Sequence, residues 1–256
     1  MTDSSQSIYI GLDLHGTLLN KNEKIEEKFH QPLMEVLKKL KTKAKMYICS
    51  GNDLPFVKQV IPADVFAIFD GFVLETGCVF SDGEKENVKT PESVQEKAQE
   101  LRRELEKQKF PEVNEFRRRL TTVSLFCNKP KEFFYKIEDF LQKSIYRNDF
   151  EVTYSNVAVD VIPKSWDKFV GMKMIAGKGT IISVADSMND FGLLNKSHFS
   201  FVPANAPKEV LDKLKVEGKK VVIINQTKLE PNTVVVANKS ETEGVLEILD
   251  FVSKNL

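Results

Sequence analysis

Four short segments of this chain end apolar runs with side chains capable of chemistry. Asp13 closes the run Ile8-Tyr9-Ile10-Gly11-Leu12, Ser50 and Gly51 follow "KMYIC", Lys168 lies in "SWDKFVG", and Asp186 and Asp190 stand at the end of "IISVADSMND". A carboxylate at the end of a buried strand is costly unless it is solvated, paired or bound to a metal. Three carboxylates, a hydroxyl and an ammonium form a purposeful mixture. Hard oxygen ligands suit Mg²⁺, which keeps several waters and joins one or two carboxylates to a substrate phosphate. A serine and a lysine can hold the remaining phosphate oxygens. An aspartate left facing phosphorus can attack it, giving an acyl-phosphate that water later opens.

The elements around these segments alternate. Extended runs are expected at 8–12, 45–49, 65–69, 180–185, 199–202 and 233–237, with helical stretches between most of them. From about 25 to 43 the residues Ile25, Phe29, Leu33, Leu37 and Leu40 share one helical face, although Pro32 predicts a kink or a start near His30. Strand, helix, strand in repetition predicts an α/β fold, a Rossmann-like parallel sheet covered on both faces. Its ligand crevice lies outside the carboxyl ends of the strands, where the four segments converge. The middle of the chain reads differently. A charged helix over 91–109, an extended run over 119–127, a helix over 131–143 and extended runs over 150–154 and 157–162 predict an inserted α+β unit. The expected division is therefore a core of residues 1–82 and 164–256 and an insert of 83–163.

Composition narrows the partners. Lys+Arg and Asp+Glu balance at 37 each, so no net field favours nucleic acid or an anionic membrane surface. No apolar run approaches the ~18 residues of a membrane span, and the opening "MTDSSQS" has no basic start or apolar leader. A cytoplasmic protein acting on a small molecule is expected. Cys49, Cys78 and Cys127 are far apart in apolar contexts, which predicts reduced packing residues. In the insert, Arg117, Arg118 and Arg119 precede an extended run. Alternation would put Arg117 and Arg119 on one face and Arg118 on the other, with Arg119 available to grip an anionic group of a substrate.

"DLHGTL", "CSGN", "DKFVG" and "ADSMND" resemble the four ordered motifs of the haloacid dehalogenase superfamily of phosphotransferases. The insert resembles the type II cap of its Cof-like, sucrose-phosphatase-like and mannosyl-3-phosphoglycerate-phosphatase-like branches, and "SWDK" is similar to the phosphomannomutase form of the third motif. "FVLETG" and "FVPANAPKEV" extend the likeness over nearly the whole chain. The resemblance implies a Mg²⁺-dependent phosphatase of small phosphomonoesters, such as phosphosugars or mannosyl-3-phosphoglycerate. It makes Asp13 the nucleophile and, with the His15 carbonyl, Asp186 and Asp190, part of the metal site. Ser50, Gly51, Asn52 and Lys168 would hold the phosphoryl group, with Asn189 supporting the loop and Glu75 and Asn205 near the cleft. Ala185 stands where a glycine is common, and Asn52 where an arginine often follows the glycine.

His15 is the main departure, since the first motif is usually Asp-x-Asp-x-Thr. The second aspartate protonates the leaving oxygen and activates water, while the metal uses only that residue's backbone carbonyl. Three readings of His15 stand open: imidazole replaces the carboxylate as acid and base, the enzyme is slow or inactive, or the site is a phosphotransferase that keeps water from Asp13. Two other functions fit the same motifs. One is a phosphometabolite-binding or regulatory protein that has lost turnover; the other is a phosphomutase.

Overall fold

The computed structural model describes residues 7–226 and 228–256. The opening stretch "MTDSSQS", apart from Ser7, thus lies outside the described residues. The chain runs β1 (Ile8–Leu12), α1 (Glu27–Lys41), β2 (Lys45–Cys49), α2 (Leu54–Val60), α3 (Ala63–Phe66), β3 (Gly71–Leu74), β4 (Val79–Ser81) and β5 (Glu86–Val88). It continues through α4 (Glu92–Lys107), β6 (Val113–Arg117), β7 (Val123–Cys127), α5 (Pro130–Lys143), β8 (Phe150–Tyr154) and β9 (Ala158–Pro163). Then come α6 (Lys168–Ala176), β10 (Thr180–Val184), α7 (Phe191–Lys196), β11 (Phe199–Val202), α8 (Lys208–Val216), β12 (Lys220–Ile223), β13 (Thr233–Val236) and α9 (Glu241–Asn255).

The larger sheet has the order β12-β13-β11-β10-β1-β2-β3-β4-β5. It is parallel from β12 to β3, and β3, β4 and β5 form an antiparallel edge. Alternate residues of each central strand enter opposite layers. Ile10, Leu12, Ile182 and Val184 pack with Leu33 and Leu37 of α1 and Ile248 and Leu249 of α9, whereas Tyr9 and Ile181 pack against Met172 of α6 and Leu193 of α7. Each such leucine or isoleucine contributes about 1.5–3 kcal/mol by leaving water. β1 lies between β2 and β10, so successive connections leave it in opposite directions and open a crevice at its carboxyl end.

The second sheet, β6-β7-β9-β8, is antiparallel. One of its faces carries Leu125, Val159 and Val161, which pack with Leu101 and Leu105 of α4 and Ile137 and Leu141 of α5. The period of two sends Ser124, Phe126, Ala158 and Asp160 to the other face.

Several expected elements move. Residues 65–69 are not a strand: Pro62 precedes the one-turn α3, and the strand is the next apolar run, Gly71–Leu74. A short apolar run has no period to separate the two cases. The extended run expected over 119–127 is a strand only from Val123, as β7; residues 118–122 are irregular and follow β6, a strand at Val113–Arg117 that was not expected from the sequence. Strand β5, inside the segment read as insert, pairs with β4 at the edge of the larger sheet, so the smaller unit starts with α4. Pro32 sits within α1 without ending it; its missing N–H costs one helical bond, which the buried Leu33–Leu37–Leu40 face outweighs.

Candidate active site

The turn after β1 builds the first part of the site. The Asp13 amide donates to the Val184 carbonyl at 2.9 Å, continuing the parallel ladder one residue past the strand. Gly16 then adopts φ +73°, and a Cβ there would stand 2.4 Å from Asp186 Oδ2, so glycine is required both by the backbone and by the neighbouring carboxylate. Thr17 Oγ1 donates to Asp186 Oδ1 at 3.1 Å. After β10, the Ser187 hydroxyl and amide both donate to Asp190 Oδ2, at 2.9 and 3.2 Å, and hold that carboxylate, from the last residue of the short helical turn Met188–Asp190, back over the start of the turn. Asp167 caps α6 by accepting from the Val170 amide at 2.7 Å, which sets Lys168 at the first helical position. Asp167 is thus a structural neighbour of the site.

One oxygen from each of Asp13, Asp186 and Asp190 lies within 4.8 Å of the others, and all three residues are buried. Lys168 Nζ reaches Asp13 Oδ1 and Asp190 Oδ1, each at 2.5 Å, and is itself fully buried. The two carboxylates overcome the cost of burial and hold the ammonium above the ordinary lysine range. Burial, aided by the charges of Asp13 and Asp190, raises Asp186 well above the carboxylate range. Burial and Asp13 also push Asp190 up to about 6, against the opposing pull of Lys168. One cation among three close carboxylates leaves a net negative site, and its all-oxygen donor set suits a hard divalent metal.

Above the carboxylates is a small polar pocket lined by Asp13, His15, Ser50, Gly51, Asn52, Asn189 and Ser187 from the large-sheet unit, and by Arg119, Phe126, Ser155, Val157, Ala158 and Asp160 from the smaller one. The free space at its centre is about 20 Å³, little more than one water occupies. Ser50 Oγ accepts from the amide and side chain of Asn52, at 3.1 and 3.2 Å. Arg119 Nη2 donates to Asn52 Oδ1 at 2.7 Å, which orients that amide and turns Asn52 Nδ2 toward His15 Nδ1 at 3.2 Å. The His15 ring therefore accepts at Nδ1 and donates from Nε2 to Glu23 Oε1 at 3.0 Å. Both of its nitrogens are engaged.

The two units are laced together around this pocket. Asn156, in the β8–β9 turn, donates to Asp186 Oδ2 at 2.7 Å. Arg118 reaches Asp53 and Glu86, at 3.2 and 3.4 Å. Arg117 pairs with Glu23 at 3.6 Å and lies over the rings of Phe126 and Phe56. All three arginines thus face the larger unit; β6 ends at Arg117, so the alternation expected across the triplet stops there. Glu75 is fully buried and accepts from the amides of Leu120 and Thr121, at 2.7 and 2.8 Å, and from Thr121 Oγ1 at 2.7 Å. It does so from a strained turn in which Glu75 and Thr76 have φ of 45° and 56°. Burial raises the Glu75 carboxyl despite these donors.

The sequence-predicted residues therefore fall in two layers. Asp13, His15, Ser50, Gly51, Asn52, Asn189 and Arg119 line the pocket, with Lys168, Asp186 and Asp190 packed against Asp13. Glu75 anchors the smaller unit. Asn205 braces the first turn, donating to the Gly16 carbonyl at 2.7 Å and accepting from the Glu241 amide at 2.7 Å. The three cysteines are buried and unbridged, and burial pushes the Cys78 thiol up to about 12. Asn156 and Asp160 were not singled out in the sequence. A lone aspartate alternating against valines in "VAVDVIP" was the available signal for Asp160; a turn asparagine offers none.

A family profile described as haloacid dehalogenase-like hydrolase matches residues 10–115 and 72–221. Among solved structures, SMU.1108c from Streptococcus mutans superimposes with a TM-score of 0.69 at 17% identity, covering 94% of this chain and 97% of that one. The sucrose-phosphatase from Synechocystis, solved with sucrose and phosphate, gives 0.67 at 15% identity over 96% and 99%. The trehalose-6-phosphate phosphatase C-terminal domain of C. albicans gives 0.61 at 17% over 98% and 93%. These likenesses establish a shared fold. No curated protein matches the sequence, and no helix among the described residues is long and apolar enough to cross a membrane.

Proposed function

This chain belongs to the haloacid dehalogenase-like hydrolases, and from that premise we propose that it is a Mg²⁺-dependent phosphatase of small phosphomonoesters, with sugar phosphates as the first substrates to test. The observation that carries the reading is Asp13 at the end of β1, paired with Lys168 beside Asp186 and Asp190 and facing a polar pocket. Sugar phosphates are favoured because the similar folds include a sucrose-phosphatase and a trehalose-6-phosphate phosphatase domain.

The metal would be held by Asp13, the His15 backbone carbonyl, Asp186 and Asp190. When bound, it supplies positive charge against the phosphoryl oxygens. Asp13 attacks phosphorus as the ester P–O bond breaks, and water later opens the aspartyl-phosphate. Lys168 offsets the repulsion between the carboxylates and the incoming anion. Ser50 and Asn52 orient phosphoryl oxygens, and Arg119 brings a guanidinium from the smaller unit to the position beside Asn52. That unit acts as a cap: a pocket with room for little more than a water admits a sugar phosphate only after the cap lifts, and closing it excludes bulk water.

The test is phosphate release from p-nitrophenyl phosphate and a panel of sugar phosphates, with and without Mg²⁺, for the parent protein and Asp13→Asn. The expected result is Mg²⁺-dependent release that the variant loses. Release that survives in Asp13→Asn, or a parent silent on every substrate, overturns the reading.

A further inference from the structure

The His15 ring has no free position with which to serve a leaving group. Asn52 occupies Nδ1, and Arg119 holds the amide in the orientation that does so; Glu23 occupies Nε2. Yet an alkoxide leaving from a sugar phosphate needs a proton, and the water that opens the aspartyl-phosphate must lose one. Apart from Asp13 itself, one carboxyl group among the described residues lines the pocket: Asp160 of β9.

Taking the phosphatase reading as its basis, we propose that Asp160, carried on the cap, is the general acid and base of this enzyme in place of the residue at position 15. The register Ser124↔Asp160 between β7 and β9 puts both side chains on the face turned toward the site. Ser124 Oγ donates to Asp160 Oδ1 at 2.5 Å, which orients the carboxyl and leaves Oδ2 without a hydrogen-bond donor among the described residues. Burial raises the carboxyl above its ordinary range, against the opposing pull of the Ser124 hydrogen bond and of Arg119, Lys168 and His15; Cys127 also lies within its electrostatic reach. A carboxyl held above its ordinary range, lining the pocket beside Asp13, suits a general acid.

The steps balance. In the first, an Asp13 oxygen bonds to phosphorus and the ester P–O bond breaks. The departing oxygen takes the Asp160 proton, leaving an alcohol, an aspartyl-phosphate and an Asp160 carboxylate. In the second, that carboxylate takes a proton from water as the water oxygen attacks phosphorus. The bond to Asp13 breaks, inorganic phosphate forms and Asp160 is neutral again. Because the acid rides on the cap, proton transfer is available only when the cap is closed.

Leaving groups separate this role from a structural one. p-Nitrophenolate departs without a proton, whereas a sugar alkoxide does not. In Asp160→Asn, single-turnover formation of the aspartyl-phosphate from a sugar phosphate is expected to fall roughly a hundredfold or more. The p-nitrophenol burst should keep the parent rate, followed by slow turnover because the base is missing. Asp160→Glu, which keeps a carboxyl, should recover part of the sugar-phosphate rate; if the asparagine variant does not fold, the sugar-to-nitrophenyl rate ratio of the glutamate variant is read instead and should fall below the parent ratio. Equal losses on both substrates, an unchanged ratio, or a change confined to KM for the sugar phosphate overturns the proposal while the Asp13→Asn result still supports a phosphatase. A parent protein silent on every substrate overturns both.

Discussion

Replacing Lys168 with methionine removes the one ammonium that pairs with Asp13 and Asp190 and leaves three buried carboxylates with one oxygen apiece within 4.8 Å of one another. Methionine matches the lysine stem, so packing is nearly conserved and the change is electrostatic. Removing one partner of a buried ion pair costs about 3–5 kcal/mol. At roughly 2–4 °C per kcal/mol for a domain approaching this size, the metal-free protein should melt about 6–20 °C lower at pH 7.5. Protonation offers an escape: Asp190 already titrates near 6 and burial holds Asp186 well above its ordinary range, and both should rise again without the lysine. The deficit should therefore shrink at pH 5. Differential scanning calorimetry of parent and Lys168→Met at the two pH values, with metal chelated, measures this. Melting temperatures that agree within about 2 °C at pH 7.5, or a deficit that grows on acidification, would refute the electrostatic account of the cluster.

The remaining predictions concern the same carboxylates and the lacing of the cap. A carboxyl raised in the folded state binds a proton that the unfolded chain has lost, so its contribution to stability falls as pH rises through the interval between its unfolded and folded pKa values. For Asp190, moving from 3.8 to about 6, this amounts to about 3 kcal/mol at about 1.4 kcal/mol per unit. Mg²⁺ should consequently raise the melting temperature more at pH 7.5 than at pH 5, and an equal shift in thermal-shift titrations counts against the metal site. Glu75→Gln sets an NH₂ against at least one of three donors and should cost about 1–3 kcal/mol. It should also speed proteolytic cleavage at 118–122, whereas parent-like cleavage refutes the anchor. Asn156→Ala removes the cap's bond to Asp186 and should weaken Mg²⁺ binding measured calorimetrically by roughly tenfold, the scale of losing a hydrogen bond that orients a metal ligand.

Much of the large sheet was legible because its strands are apolar runs between helices with a clear period, and because Asp13, Ser50 and Asp186 stand within two residues of strand ends. The site's floor was legible for the same reason: each motif is local. What was not legible depends on contacts between distant segments. Arg119 and Asn52 are 67 residues apart and Asn156 and Asp186 are 30 apart, and no spacing in the chain announces either pair. The break at 118–122 was hidden because Leu120, Thr121 and Thr122 suit a strand; the segment leaves the sheet to place two amides on Glu75, a tertiary demand that overrides propensity.

These distant contacts give position 15 its meaning. A histidine in the first motif, seen alone, is a missing carboxylate. In the fold it is the middle of a chain of hydrogen bonds that starts on the cap at Arg119, passes through Asn52 and His15, and ends at Glu23, which Arg117 of the cap also meets. Both ends of that chain return to the same cap segment, so His15 is held in its tautomer only while the cap is down. An aspartate at position 15, one bond short of the reach of Nε2 and unable to donate when ionised, would meet the Asn52 amide but leave Glu23 to repel it. The histidine therefore suits a site in which position 15 joins cap to core and another carboxyl, on the cap itself, handles the proton.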